Sequence, residues 1–125
     1  MAKNIQIADD ELHIRALLEQ TLEDLEDEGV TFLFAANGQE ALDVIKREQP
    51  NLVFLDVMMP KMNGYEVCSE AKHNLEMKDT FIVLLTAKGQ EVDQQKGYES
   101  GADLYVTKPF DPDDILIKAE EILGL

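Results

Sequence analysis

A run of four apolar residues that ends in an acid constrains this chain more than any other feature. Leu52 to Leu55 are followed by Asp56, and Pro50 and Pro60 bracket the segment. Such a run predicts a strand buried on both faces, which is typical of a parallel sheet with helices on each side. Open α/β sheets bind ligands at the carboxyl ends of their strands, so the position of Asp56 predicts a functional site there.

The composition is that of one small globular domain. Its 125 residues suffice for a single core, and a hydrophobic content of 45% is ordinary for a folded protein. The net charge of −15 argues against direct binding to nucleic acid or anionic lipid, because both ligands require clustered Lys and Arg. The same charge is compatible with a basic partner.

Three features predict a cytoplasmic location. The N-terminal segment lacks the apolar core of a signal peptide, and no apolar run approaches the length of a membrane span. A single cysteine, Cys68, cannot form an internal disulfide, which fits a reducing compartment.

Segments with the period of a strand alternate with segments with the period of a helix. The predicted strands span residues 4–8, 30–35, 52–56, 81–86 and 103–107. A helical pattern follows each strand; the first is predicted to run from Leu12 to a stop at Gly29, and the fourth spans roughly residues 91–100. Such alternation predicts a parallel sheet with right-handed crossovers. We therefore predict an α/β, doubly wound, flavodoxin-like (βα)5 domain with helices on both faces.

Polar residues follow four of the five predicted strands: Asp9 and Asp10, Asp56, Thr86, and Lys108. The carboxyl ends of parallel strands meet at one sheet edge, so these residues should converge. Two carboxylates about 4 Å apart repel by roughly 4 kcal/mol at an effective dielectric of about 20. A divalent cation removes that repulsion, and an all-oxygen shell suits Mg²⁺. An ammonium and a hydroxyl suit an anionic oxygen, so the residues predict a metal and phosphoryl site with a carboxylate nucleophile.

The motifs around these positions resemble the receiver domain of bacterial response regulators. The resemblance covers nearly the whole chain and implies a single receiver domain over residues 1–125, whose five-stranded parallel sheet has the order 2-1-3-4-5. It implies a phosphorylation-activated signalling switch that catalyses its own phosphorylation and dephosphorylation and is not a metabolic enzyme. The motifs are Asp9-Asp10-Glu11, Asp56 with Met58-Met59-Pro60 and Asn63-Gly64, Thr86-Ala87-Lys88, Gly101-Ala102-Asp103 and Tyr105-Val106-Thr107-Lys108-Pro109-Phe110.

The resemblance implies a role for each residue of the acidic group. Asp56 is expected to accept a phosphoryl group from a histidine kinase or a histidine phosphotransfer protein. Asp10, Asp56 and the backbone carbonyl of Met58 are expected to bind Mg²⁺ directly, with Mn²⁺ as an acceptable substitute, and Asp9 is expected to act through water.

The resemblance also implies a conformational switch. Lys108 is expected to pair with the phosphoryl group, and the peptide bond between Lys108 and Pro109 is expected to be cis. Thr86 is expected to move towards the phosphoryl group, which allows the Tyr105 ring to turn inward. That movement would change the face formed by the fourth helix, the fifth strand and the fifth helix. The expected partners of that face are an output protein, a fused output domain, or a second copy bound upon phosphorylation.

Two other functions remain open on the sequence. A haloacid-dehalogenase-type phosphatase also uses an aspartyl phosphate, but it carries a second Asp two residues after its nucleophile, where this chain has Met58. A receiver fold that acts as an unphosphorylated interaction module usually lacks one of the acids or the Lys, and all are present here. Failure to bind Mg²⁺ would favour this second alternative.

Overall fold

The computed structural model describes residues 3–87 and 99–125, which form a five-stranded sheet with flanking helices. The strands are β1 (Lys3–Ala8), β2 (Val30–Ala35), β3 (Leu52–Asp56), β4 (Phe81–Ala87) and β5 (Leu104–Lys108). The helices are α1 (Leu12–Leu22), α2 (Gly38–Glu48), α3 (Gly64–Ser69) and the C-terminal helix (Pro112–Leu123). The predicted fourth helix lies outside the described residues except at its end, where residues 99 and 100 are helical.

All neighbouring strands are parallel, and their order is β2-β1-β3-β4-β5. This confirms the predicted fold class and strand order. In the register of the sheet, Asp56 lies opposite Leu85, and Thr86 lies opposite Thr107. The carboxyl ends of β1, β3, β4 and β5 therefore share one edge of the sheet.

Two apolar clusters bury the two faces of the sheet. One contains Leu52 and Phe54 of β3 with residues of α1 and the C-terminal helix, and the other contains Val53 and Leu55 with residues of α2 and α3. Every residue of β3 is buried, which explains why its sequence is uniformly apolar up to its terminal acid. Among the described residues, no helix is both long enough and apolar enough to cross a membrane.

Side-chain caps define the starts of three helices. Asn37 accepts a hydrogen bond from the Glu40 backbone N–H at the start of α2, three residues on. Asp111 caps the C-terminal helix in the same way, with Pro112 at its first position. A capping box between Asn63 and Glu66 starts α3, at a position where the apolar pattern predicted no exact helix start.

The first helix is shorter than predicted. It ends at Leu22, and a 3-10 helix over Glu23–Glu28 continues to Gly29, whose φ of 87° ends the segment. Five acidic residues lie in that 3-10 segment. Negative charge is unfavourable at the C-terminal end of an α-helix, where the macrodipole is negative, so the α-helical geometry does not extend through this run.

Candidate functional site

Three side chains from two strand ends form an acidic group at the carboxyl edge of the sheet. Asp9 and Asp10 follow β1, and Asp56 ends β3. These three side chains each offer a carboxylate oxygen, and the three atoms lie within 4.8 Å of one another. Asp9 and Asp56 are buried, whereas Asp10 is exposed. The structure therefore brings together the three acids that the sequence predicted to converge.

Asp9 is fully buried, and hydrogen bonds engage both of its carboxylate oxygens. Its Oδ1 accepts from the backbone N–H of Glu11 at 2.9 Å, and its Oδ2 accepts from Lys108 Nζ at 2.8 Å. Arg15 Nη1 donates to the backbone carbonyl of Asp9 at 2.6 Å. The side chain and backbone of Asp9 are thus held from α1 and from β5 at the same time.

Lys108, at the end of β5, bridges two of the acids. Its Nζ lies 2.8 Å from Asp9 Oδ2 and 3.2 Å from Asp56 Oδ1. Burial by itself lowers the pKa of Lys108, but the hydrogen bond to Asp9 and the charges of Asp56 and Asp9 outweigh it and raise the pKa. Lys108 is therefore a permanent cation in the site at any pH near neutrality.

The pKa of Asp56 is raised by its surroundings in the site. Burial is the main cause, and the charge of Asp9 adds to it, so that the pKa of Asp56 rises from 3.8 to about 6 despite the nearby Lys108. Within residues 3–87 and 99–125, one ammonium group pairs with these three carboxylates, which leaves an excess of negative charge when all are ionised. An all-oxygen donor set with excess negative charge fits a hard divalent cation such as Mg²⁺.

The raised pKa of Asp56 predicts a pH-dependent stability in the metal-free protein. Because the folded-state pKa of about 6 lies above the unfolded value of 3.8, the folded state binds more protons between these values. The free energy of unfolding should therefore fall as the pH rises through that window, by at most about 3 kcal/mol from this group. Urea unfolding with EDTA at pH 4.5 and pH 8, compared between wild type and Asp56→Asn, isolates the contribution.

We expect the free energy of unfolding of Asp56→Asn, compared with that of wild type, to be higher at pH 8 than at pH 4.5. The reason is that an amide has no charge to bury. The carboxylates outside the acidic group titrate in both proteins and cancel in the comparison. If the free energy of unfolding changed with pH equally in the two proteins, the raised pKa of Asp56 would be contradicted.

The remaining predicted site residues lie on β4, β5 and the loop after β3. Thr86 is half-buried near the end of β4, and Tyr105 is half-buried on β5, opposite Leu84. No hydrogen bond between Thr86 and the acidic group occurs in the described part of the chain. The Met58 side chain is 62% exposed just beyond Asp56. The Lys108–Pro109 bond is cis, the isomer that the resemblance implies.

Two glycines hold the loop after β3 and were not identified from the sequence as site residues. Gly64 N donates to Val57 O at 2.8 Å, and a Cβ at this glycine would lie 2.5 Å from the backbone oxygen of Asp56. Gly38 N donates to Pro60 O at 3.2 Å, and a Cβ there would lie 1.9 Å from Met62 O. The spacing of three residues between Asn63 and Glu66 is that of a capping box, and it could have indicated a helix that starts at Gly64. No feature of the sequence around Gly38 indicates that Met62 lies so close to it.

A family model described as the response regulator receiver domain matches residues 5–120 of the chain. Among curated proteins, the chain is similar to a probable transcriptional regulator, ycf27, of Cyanophora paradoxa, with 46% identity over 121 residues. That alignment covers 97% of this chain and 48% of the relative. The chain thus spans about half the length of the curated relatives it matches.

Solved structures of response regulators also match this chain along its length. A putative response regulator from Chloroflexus aurantiacus J-10-fl superposes with a TM-score of 0.85 at 30% identity, over 100% of both chains. The BeF3-activated receiver domain of DrrB, a protein of Thermotoga maritima, superposes with a TM-score of 0.84 at 32% identity, also over 100% of both chains.

Proposed function

Because the chain belongs to the response regulator receiver domain family of two-component signalling, we propose that Asp56 accepts a phosphoryl group in a metal-dependent reaction. One observation carries this proposal. Asp56 lies at the carboxyl edge of the sheet with its Oδ1 on Lys108 and with Asp9 and Asp10 beside it. A nucleophilic carboxylate, a cation for the phosphoryl oxygens and further acids for a metal therefore occur within one site.

The chemistry of the transfer follows from these groups. A carboxylate oxygen of Asp56 attacks the phosphorus of the donor, a new P–O bond forms, and the bond from phosphorus to the donor's histidine nitrogen breaks with its electron pair leaving on that nitrogen. Lys108 can pair with the negative charge that develops on the phosphoryl oxygens, because its Nζ already contacts both Asp56 and Asp9. Catalysis then consists of positioning and charge stabilisation.

The donor set fits Mg²⁺ or Mn²⁺. Asp10, Asp56 and the backbone carbonyl of Met58 would hold the ion directly, and when bound it would offset charge on the phosphoryl oxygens. Asp9 would act through water, because both of its carboxylate oxygens already accept hydrogen bonds from Glu11 and Lys108.

The wild-type protein should gain one phosphoryl group when incubated with Mg²⁺ and acetyl phosphate, because this small donor needs no kinase. Intact-mass spectrometry measures the gain, and EDTA in place of Mg²⁺ should abolish it. If a folded, Mg²⁺-binding protein gains no phosphoryl group from acetyl phosphate or from a kinase, the proposal is wrong. Failure to bind Mg²⁺ as well would favour the unphosphorylated interaction module. The match to the receiver family favours the signalling role over the haloacid-dehalogenase-type phosphatase.

We propose further that Thr86 and Tyr105 transmit the phosphorylated state. Thr86 lies on the strand beside β3, at the same sheet edge as Asp56, and Tyr105 lies on the next strand. Both side chains are half-buried, and Tyr105 packs against the apolar cluster that contains Val53 and Leu55. An inward turn of Tyr105 would change the face that includes β5 and the C-terminal helix, which is a population shift in a bistable element.

Tyr105→Ala should leave phosphorylation of Asp56 intact and weaken output. We expect the affinity of an output partner for the phosphorylated protein to fall by about tenfold, within the usual range of such couplings. Intact mass measures phosphorylation, and titration with the partner measures the output. Tyr105→Phe is the control, because it keeps the ring. Equal partner affinity for phosphorylated wild type and Tyr105→Ala would contradict the switch role.

The partners follow from the family and remain proposals. A histidine kinase or phosphotransfer protein would supply the phosphoryl group, and an output protein or a fused output domain would read the switched face. The curated relatives are named as probable transcriptional regulators, and this chain spans about half their length. We therefore propose a separate output domain as the part that contacts DNA, since this chain carries a net charge of −15. The cytoplasmic location and the single domain over residues 1–125 remain predictions.

A further inference from the structure

The outer edge of β2 is an unprotected strand edge, and we propose that it binds an extended, positively charged segment of a partner polypeptide as a sixth strand. This surface is distinct from the acidic site and from the proposed output face. β2 is the terminal strand of the sheet and pairs only with β1 in the described part of the chain.

The direction of the hydrogen bonds shows which backbone groups face outward. The carbonyl of Ala35 accepts from the N–H of Asp9, beyond the end of β1, so Ala35 faces β1. Backbone groups alternate sides along a strand, and the N–H and C=O groups of Phe32 and Phe34 therefore point away from the sheet. No described residue hydrogen-bonds to these four groups. They form the ladder that an added strand needs.

The sequence of β2 lacks the usual devices that block such pairing. Natural edge strands carry Lys, Pro or a bulge, or are very short. β2 has six residues, Val-Thr-Phe-Leu-Phe-Ala, with no charge, no Pro and no Gly. Its β-branched and aromatic residues favour strand pairing. The exposed edge is therefore competent to accept another strand.

A groove runs beside this edge on the α1 face of the sheet. Its volume is about 430 Å³, and the Phe34 ring is 41% exposed beside it. The lining residues combine aromatic and apolar side chains of the strand with two carboxylates, and they are Glu19, Glu26, Val30, Thr31, Phe32 and Phe34. A Lys or Arg on an added strand can lay its stem over the rings and place its charge against these carboxylates.

The charge around the edge of β2 determines which kind of segment can bind there. Residues 16–45, which surround β2 along the chain, contain eight acids and no Lys, Arg or His. A second copy of this chain would place two such regions against each other, and an acidic segment would also be repelled. A segment with Lys or Arg at alternate positions satisfies both the backbone ladder and the acidic groove.

The test uses two short capped peptides as probes, one alternating Lys with Val and one alternating Glu with Val, titrated into ¹⁵N-labelled protein at low ionic strength. We expect the Lys peptide to shift the amide signals of residues 31–35, to slow hydrogen exchange at Phe32 and Phe34, and to dissociate at about 0.5 M salt. The Glu peptide should not bind. Equal binding of both peptides, shifts centred elsewhere, or no binding of the Lys peptide would overturn the proposal.

Variants distinguish binding at the edge of β2 from non-specific attraction to the negative net charge of the protein. Glu19→Lys combined with Glu26→Lys should weaken binding of the Lys peptide by about tenfold or more, and Phe34→Lys should do the same. The matched control combines Asp79→Lys with Glu121→Lys, an equal charge change at exposed residues outside the groove. An equal loss in the control would overturn the proposal. So would self-association through β2 that Phe34→Lys abolishes, because the occupant would then be a second copy.

Discussion

Asp56→Asn should abolish the gain of a phosphoryl group from acetyl phosphate and Mg²⁺. The amide has nearly the shape of the carboxylate, so β3 and its fully buried packing should be kept. It lacks the anionic oxygen that attacks phosphorus, and the covalent step therefore cannot occur at this position. Intact-mass spectrometry of the variant beside wild type measures the loss.

The control is Asp79→Asn, which changes an exposed carboxylate away from the acidic group and should be phosphorylated like wild type. Circular dichroism checks that both variants are folded. Phosphorylation of Asp56→Asn to the wild-type level would assign the acceptor to another carboxylate, which peptide mapping would then locate.

Gly38→Ala should destabilise the protein by about 3 kcal/mol or more, near the upper end of the range for overpacking. The added Cβ would lie 1.9 Å from the backbone oxygen of Met62, so either α2 or the loop after β3 must move. That loop follows Asp56 directly, and its movement should also weaken Mg²⁺ binding. Urea unfolding measures the stability, and a shift in the unfolding midpoint with added Mg²⁺ measures the binding.

Gly29→Ala is the matched control. Its φ of 87° disfavours any side chain, but no heavy atom lies within 4 Å of the added Cβ. We expect a loss of about 1–2 kcal/mol from backbone strain alone, with Mg²⁺ binding unchanged. If Gly38→Ala were no less stable than Gly29→Ala, the close approach between α2 and the loop would not constrain the site.

Much of the fold was predictable because its signals are local or periodic. The uniform apolar run of β3 indicated a strand with helices on both sides, and the alternation of strand and helix patterns indicated a parallel sheet. The same logic placed Asp9, Asp10, Asp56 and Lys108 at one edge, and the structure confirms that they meet there. Parallel strands bring their carboxyl ends together whatever the details of packing.

Local electrostatics explain the main departure from the predicted helices. The apolar spacing from Leu12 to Leu25 fits a single helix up to Gly29, but the structure has a 3-10 segment from Glu23. Apolar periodicity does not record the repulsion between a run of acids and the carbonyl end of a helix.

The sequence by itself determined the parallel sheet and the residues that meet at its carboxyl edge, because strand periodicity and strand ends can be read one segment at a time. Only the tertiary structure decided how those residues interact. Lys108 bridges Asp9 and Asp56, both oxygens of Asp9 are engaged, and Gly38 leaves no space beside Met62. Each of these contacts joins segments distant along the chain, and its distance depends on how whole elements pack, for which no short stretch of sequence carries a signal.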